Sequence, residues 1–373
     1  MITLWITPVD LLYLRGNKLF GEAGDDAQAT MPPWPSLAAG AIRSRMLVDG
    51  KIDLAAFAKG EVSLPPNLHA ALGTPDAPGS FRLSHFGLAI RDGETIQPLL
   101  PLPADLVVQG ARGQERVLAL TPKVVSGIIV ADTLPMLPLL ESDKQEKARS
   151  GYWLTTAGLH AYFAGRPITP DHICHADSLW KVDARLGIGI DAESHRAGDG
   201  RIYTSDAVAL SREVGFVASV DGVEDKLLPQ EGLLRLGGDG RAATVRPCQM
   251  GLPQPEWEQI ARQRRFKLVL TSPGIFDHGW QLPGMADGRW HGAGGSARIC
   301  AAAVGRAEVI SGWDIARHAP KPAQRVAPIG SIYWLDDWQG DLSELQQLSA
   351  TGLPCAAARQ AEGFNHCMIA TWV

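Results

Sequence analysis

Between Leu233 and Arg246 the chain reads LLRLGGDGRAATVR, the stretch that most constrains its local fold. Two short apolar-alternating runs flank Gly237-Gly238-Asp239-Gly240, which specifies a strand, a glycine-rich reversal and a second strand opening with Arg241. A turn without side chains lets backbone N–H groups approach an anion, and Arg241 and Arg246 would add guanidinium contacts to phosphate oxygens. The same letters also describe an ordinary hairpin, because Asp-Gly is a favoured two-residue turn and most such turns bind nothing. A polymerase-palm metal site needs paired carboxylates, and Asp239 stands alone at the turn.

Composition limits what such a motif means. The 373 residues, 45% hydrophobic and 20% charged, make a globular protein long enough for two domains with sizeable cores. A net charge of −5 excludes a uniformly basic nucleic-acid coat, so any anion site must be a local concentration of Arg and Lys. The 40 Gly and 26 Pro point to many short strands and ordered loops, and the 11 Trp offer large anchors for an interface or for base stacking. Five cysteines, Cys174, Cys248, Cys300, Cys355 and Cys367, are odd in number and contain no C-x-x-C pair, which implies a reduced, cytoplasmic protein. The N-terminal MITLWITPVD reads as a first strand and not as a signal peptide, and the apolar run 124–140 is broken by Asp132, Pro135 and Pro138. No membrane span is expected.

Taken in order, Thr3 to Thr7 is a strand, followed by a segment that carries Arg15 and Lys18. After Met31-Pro32-Pro33-Trp34-Pro35, Ser36 is placed to cap a helix running to Val48, with Ala38, Ile42 and Met46 on one face and Gly40 permitting close approach to a sheet. A strand, a long loop and a helix that covers the sheet open an α+β sandwich. Residues 60–140 read as small strands and turns of an insertion, and 141–150 as a solvated polar connection. Tyr152 to Phe163 has helical spacing, while Val214 to Val220 is a core strand. The basic run Arg262, Arg264, Arg265 and Lys267 leads into the strand LVLT, the start of a second domain. Arg325 to Leu335 is another strand, Asp341 to Leu348 a helix, and Gly363-Phe364-Asn365 introduces the terminal strand. Each half thus opens with a strand and contains hairpins and a covering helix. The expected fold is α+β: two tandem ferredoxin-like, RRM-like domains, 1–250 with a large insertion at about 60–180, and 251–373.

Asp171-His172-Ile173-Cys174-His175 holds potential zinc ligands, yet neither His160 nor His195 completes a familiar spacing. The segment 183–203 carries Arg185, Arg196 and Arg201 in a glycine-rich context with Asp183, Asp191 and Asp199 between them. Loops that hold arginines at intervals suit an extended phosphate backbone; otherwise they are exposed ion pairs, each worth little.

Five elements in sequence order, PPWPS-L-x-x-G-A-I-R, LGIGID…GRIY, LGGDGR, LTSPGIF…GW and GWD…PKP…RVAPIGSIYWL, resemble the RAMP-superfamily subunit of type III-B CRISPR effector complexes called Cmr subunit three. The resemblance spans essentially the whole chain. It implies two ferredoxin-like folds with insertions and no cofactor. It also implies binding of the five-prime, repeat-derived handle of the crRNA, beside the large polymerase-like subunit and a neighbouring RAMP backbone subunit. The residues expected at the RNA are Arg15, Lys18, Trp34, Arg43, Arg185, Arg196, Arg201, Gly237, Gly238, Gly240, Arg241, Lys321, Arg325, Gly330 and Ser331, with Trp34 as a stacking platform. A non-catalytic reading agrees with the residues. In-line RNA cleavage without metal wants an acid and base pair, and the best histidines, His278 and His291, share no uniting spacing. The alternative is a metal-independent RAMP endoribonuclease that processes precursor crRNA.

Overall fold

The computed structural model describes residues 1–14, 26–27, 29–127, 134–142, 145–190, 196–314, 317 and 319–373, the side chains of 26–27 and 197–203 excepted. Arg15, Lys18 and the Arg201 side chain therefore lie outside the described residues. The fold is mixed α and β, rich in strands and sparing in helix. It divides into two compact units: Met1–Glu94, Asp177–Cys248 and Val309–Gln324 form the first, and Thr95–Ala176, Gln249–Glu308 and Arg325–Val373 the second. The two units interleave along the chain.

In the first unit five strands run, in spatial order, Leu233–Arg235, Ala242–Cys248, Ile2–Pro8, Val214–Asp221 and Arg82–Asp92. Each pairing is antiparallel. Val214–Val220 is buried along its whole length, as a near-continuous apolar run should be when both faces are covered. The Pro35–Asp49 helix packs on the Arg82–Asp92 and Leu233–Arg235 strands through a stripe that includes Ala38, Ile42 and Met46. It starts two residues earlier than expected, with Trp34 in place of Ser36 as the N-cap and Pro35 at the first helical position, where a missing N–H costs nothing. Gly40 sits two residues from Ala38 and Ile42, hence on the opposite side of the helix, and is exposed with open space above it, not against a sheet. Arg45 ties the helix to the sheet. Its guanidinium donates to Asp49 at 2.7 Å, to the Leu233 carbonyl and to the Glu231 carbonyl at 3.4 Å.

The glycine hairpin forms, with Leu233 opposite Thr244 and Arg235 opposite Ala242. Its returning strand opens at Ala242, one residue beyond Arg241. The reversal is also longer than a two-residue Asp-Gly turn. Leu236 N–H bonds the Arg241 carbonyl at 2.8 Å, and Gly238–Gly240 make one 3-10 turn with Asp239 left-handed at φ 56°. Gly237 has φ +82°, and a Cβ there would stand 2.8 Å from the Tyr13 carbonyl oxygen.

In the second unit the sheet order is Met285–Ala286, Arg289–Gly292, Gly295–Ala303, Ile332–Gln339, Phe266–Leu270 and Cys367–Thr371, antiparallel throughout. Both faces are covered. Phe266, Leu268, Leu270, Tyr333, Leu335 and Ile369 point to one core, which takes Leu345 and Leu348 from the Leu342–Thr351 helix. Val269, Ile332, Trp334, Met368 and Ala370 alternate onto the other face, where Leu100, Leu106, Leu159 and Phe163 of the insertion cover them. Lys267 falls on that second face and is 8% exposed. Its Nζ is 3.0 Å from Asp105 Oδ2 and 4.0 Å from the centre of the Tyr162 ring, while the Tyr162 hydroxyl donates to Asp105 Oδ1 at 2.7 Å. Burial, then Asp105, raises the Tyr162 pKa well above its ordinary value.

Other boundaries shift for local reasons. Tyr152–Leu154 is a strand, and the helix begins only at Thr156 because the Thr155 hydroxyl accepts from Gly158 N–H at 3.2 Å. Arg325 to Leu335 is two strands, Gln324–Val326 and Ile332–Gln339, separated by a turn at Pro328–Ser331. Five of the eleven tryptophans, Trp5, Trp153, Trp290, Trp334 and Trp338, are buried in cores and so are not interface anchors.

Two substitutions test this account by chemical denaturation. Lys267→Met strands a buried carboxylate and should cost about 3–5 kcal/mol, and Lys267→Met combined with Asp105→Leu should recover most of that loss. Gly237→Ala meets both a left-handed backbone and the Tyr13 carbonyl, so it should cost about 1–3 kcal/mol. Gly240→Ala, at φ +63° with nothing within 4 Å, should cost less.

Candidate nucleic-acid interface

Tyr13, which the motif reading passed over, gathers the most promising residues of the first unit. Its carbonyl accepts the Gly238 N–H at 2.8 Å, so one amide of the glycine turn is used to anchor the turn. The Arg241 guanidinium lies over the Tyr13 ring, 5.1 Å from its centre, and donates to Asp10 at 3.1 Å. Arg185, on the Trp180–Ile190 strand, donates to Asp183 at 2.9 Å and lies within electrostatic reach of the Tyr13 phenol. Its pKa is raised, first by the Asp183 hydrogen bond, opposed by desolvation, and then by the Asp183 charge and by Tyr13. Two arginines 56 positions apart (241 − 185) are thus brought to one tyrosine from two different hairpins.

The electrostatics leave this pair exchangeable. Asp10 and Asp183 are 65% and 52% exposed, and exposed ion pairs contribute little to stability. An incoming phosphate offers the same guanidinium groups a bidentate acceptor with more charge. The Arg241 Nε is buried and has no acceptor among the described residues. Asp239 and Gly240 stand exposed at the tip of the turn.

The remaining candidates are spread more widely. Trp34 and Arg43 are half-buried at the start and middle of the Pro35–Asp49 helix, while Arg196 and Arg246 are exposed. Lys321, half-buried, donates its backbone N–H to the Gly312 carbonyl at 2.8 Å. That contact belongs to a small hairpin in which Trp313 pairs with Pro320. Trp313 is 54% exposed, the most open of the eleven tryptophans, and beside Lys321 it makes a better stacking platform than Trp34. A short strand between glycine and proline gave no periodic signal that would have singled it out.

Arg325, Gly330 and Ser331 belong to the second unit. Arg325 is exposed, but the other two are turned inward. Gly330 accepts from Ala104 N–H at 2.8 Å, and Ser331, fully buried, donates its hydroxyl to the Pro328 carbonyl at 2.7 Å. Their backbone N–H groups are taken as well, by the Leu270 carbonyl at 2.8 Å and the Pro328 carbonyl at 3.2 Å.

Groups suited to catalysis are dispersed. His278 and His291 are both exposed, and among the described residues no hydrogen bond or ring contact joins them. In the 171–175 segment, His172 Nδ1 accepts the Thr169 N–H at 3.2 Å, and His175 sits edge-on to Tyr152. Among the described residues no three His, Cys, Asp or Glu side chains converge as metal ligands, and no helix is long and apolar enough to cross a membrane. All five cysteines are free thiols, and burial pushes those of Cys300 and Cys367 up to about 12.

Two of the solved structures similar to this chain are chains of type III-B Cmr-beta complexes. One, a chain of the type III-B Cmr-beta complex bound to cognate target RNA, aligns with 98% of this chain and 96% of its own at 15% identity and a TM-score of 0.51. The other, from type III-B Cmr-beta bound to cognate target RNA and AMPPnP, aligns over 89% and 86% at 16% identity and a TM-score of 0.47. No curated protein matches in sequence. The family model described as CRISPR-associated protein (Cas_Cmr3) matches residues 4–372, and with that span the chain belongs to the Cmr subunit three family of CRISPR-associated proteins.

Proposed function

We propose that this chain is a non-catalytic, RNA-binding subunit of a cytoplasmic type III-B Cmr ribonucleoprotein in antiviral defence, holding the five-prime handle of the crRNA. The observation that carries the reading is the convergence of Arg185 and Arg241 on Tyr13 beside the Gly237–Gly240 turn. Two guanidinium groups, a strapped turn with exposed amides and a nearby aromatic ring suit a single-stranded phosphate backbone. The similarity in fold to a chain of an RNA-bound Cmr-beta complex supports it.

Both units are read as ferredoxin-like, RRM-like frames. Numbered along the chain, the strands Ile2–Pro8, Arg82–Asp92, Val214–Asp221 and Ala242–Cys248 stand in the order 4-1-3-2. Phe266–Leu270, Gly295–Ala303, Ile332–Gln339 and Cys367–Thr371 do the same. The first frame keeps the helix between strands 1 and 2, and the second keeps the helix between strands 3 and 4. Hairpins occupy the other crossovers.

Docking of the large polymerase-like subunit and of a neighbouring RAMP backbone subunit needs apolar surface that water would otherwise wet. Val182, Leu186, Ile188 and Ile190 supply it: they are 52–71% exposed on the strand that carries Arg185, alternating with Asp183 and Arg185.

Handle RNA binding by the full-length protein tests the reading. Arg185→Ala combined with Arg241→Ala should weaken affinity about tenfold or more, and the salt slope should fall by about 0.7 per lost phosphate contact. Unaltered affinity and slope would overturn the Tyr13 site. Trp313→Ala should weaken binding by about 1–3 kcal/mol, and Trp34→Ala by less. Site-specific cleavage of repeat RNA in EDTA, abolished by His278→Ala or His291→Ala, would replace the non-catalytic reading with the endoribonuclease.

A further inference from the structure

The insertion holds a second concentration of positive charge that the Tyr13 site does not use. An open concavity of about 560 Å3 is lined by Arg116, Glu146, Lys147 and Arg149 together with the backbone of Gly110 and Gln114. That volume is in the range of small-ligand sites and large enough for a nucleotide. It lies wholly within the second compact unit.

Its walls are built by specific contacts. Leu106–Gln109 and Arg116–Lys123 form a hairpin in which Gln109 stands opposite Arg116. The Gln109 side chain, 2% exposed, donates to the Glu146 carbonyl at 3.1 Å and accepts from the Ser142 hydroxyl at 3.5 Å. Arg149 N–H bonds the Val108 carbonyl at 2.9 Å. Ser142 and residues 145–149, part of the 141–150 run that sequence alone describes as a solvated connection, are therefore strapped beside the hairpin. Lys147 and Arg149 both line the concavity.

The charge in the concavity is not balanced. Arg116 pairs with Glu146 at 3.2 Å, leaving Lys147 and Arg149 on the same wall. Arg112 and Arg149 both lie within electrostatic reach of the Tyr152 phenol, whose hydroxyl donates to Glu115 at 3.0 Å. Among the described lining residues, Arg116, Lys147 and Arg149 against Glu146 leave a local charge of +2 (3 − 1) in a protein whose total is −5. Like charges gathered in a concave, polar site raise their own energy until an anion neutralises them.

We propose that this concavity is an oxyanion site of the phosphate class, taking either phosphodiester groups of a single-stranded nucleic acid or the polyphosphate of a free nucleotide. Arg116 supplies a guanidinium fork that exchanges Glu146 for phosphate, Lys147 and Arg149 add their charges beside it, and Gln109 acts as a positioning residue that holds the strap.

The test uses the full-length protein with Arg185→Ala and Arg241→Ala already in place, which keeps failure at the Tyr13 site from being mistaken for failure here. Adenosine triphosphate and a short oligouridylate are titrated separately by calorimetry, with and without Lys147→Glu and Arg149→Glu. One of the two probes should bind, and charge reversal should weaken it about tenfold or more with an unchanged melting temperature, both side chains being exposed. Lys147→Arg with Arg149→Lys should retain the binding. Loss confined to oligouridylate identifies a nucleic-acid backbone as the source, and loss confined to the nucleotide identifies a free ligand. If neither probe binds, or if reversal leaves affinity within about twofold, the site does not exist.

Discussion

The second unit depends on one buried ion pair. Lys267 sits in the middle of Phe266–Leu270, on a strand that alternates between two cores, and its register sends a charged amine into the apolar one. A lone ammonium there would cost several kcal/mol, so the face is tenable only if something brings a carboxylate to it. The insertion does so with Asp105, and Tyr162 fills the carboxylate's other oxygen while offering its ring face to the amine. The polar triad sets which part of the insertion lies on which strand. Leu100, Leu106, Leu159 and Phe163 then supply the area, with about 1.5–3 kcal/mol for each large side chain removed from water.

This also explains why the interleaving escaped a reading along the sequence. Arg262, Arg264, Arg265 and Lys267 look like one basic run, and nothing local separates them. In three dimensions Arg262 and Arg264 are exposed, Arg265 lies 5.2 Å over the Trp372 ring, and Lys267 is buried. The partner that decides the difference, Asp105, is 162 residues away. By contrast the strands Ile2–Pro8 and Val214–Asp221, the glycine hairpin and the Leu342–Thr351 helix were legible, because alternation, turn glycines and helical leucine spacing are local signals.

The candidate site divides along the same line. Arg241 and the glycine turn were visible from composition, and Arg185 from its spacing. Tyr13 was not, since its role comes from a carbonyl and a ring serving two different neighbours. Gly330 and Ser331 illustrate the opposite error. A glycine followed by serine in a loop has the letters of an anion cradle, yet the carbonyls of Leu270 and Pro328 take up their N–H groups. Turn letters report a backbone conformation; whether its N–H groups face solvent is settled by chain that the motif does not contain.

Those internal bonds have a consequence for how RNA would be held. The glycine turn spends the Gly238 amide on Tyr13, so it cannot wrap a phosphate with every N–H as a phosphate-binding loop does. What the anchoring gives instead is position: the turn, Tyr13 and Arg241 move as one body, and Arg241 meets its ligand with its guanidinium already stacked. A stacked, partly desolvated arginine loses less side-chain freedom on binding than a free one. The affinity of such a site therefore comes from a few preorganised guanidinium groups. Phosphates that are regularly spaced satisfy those groups whatever the attached bases, so base preference must come from rings that stack, with Trp313 the most exposed tryptophan able to do so.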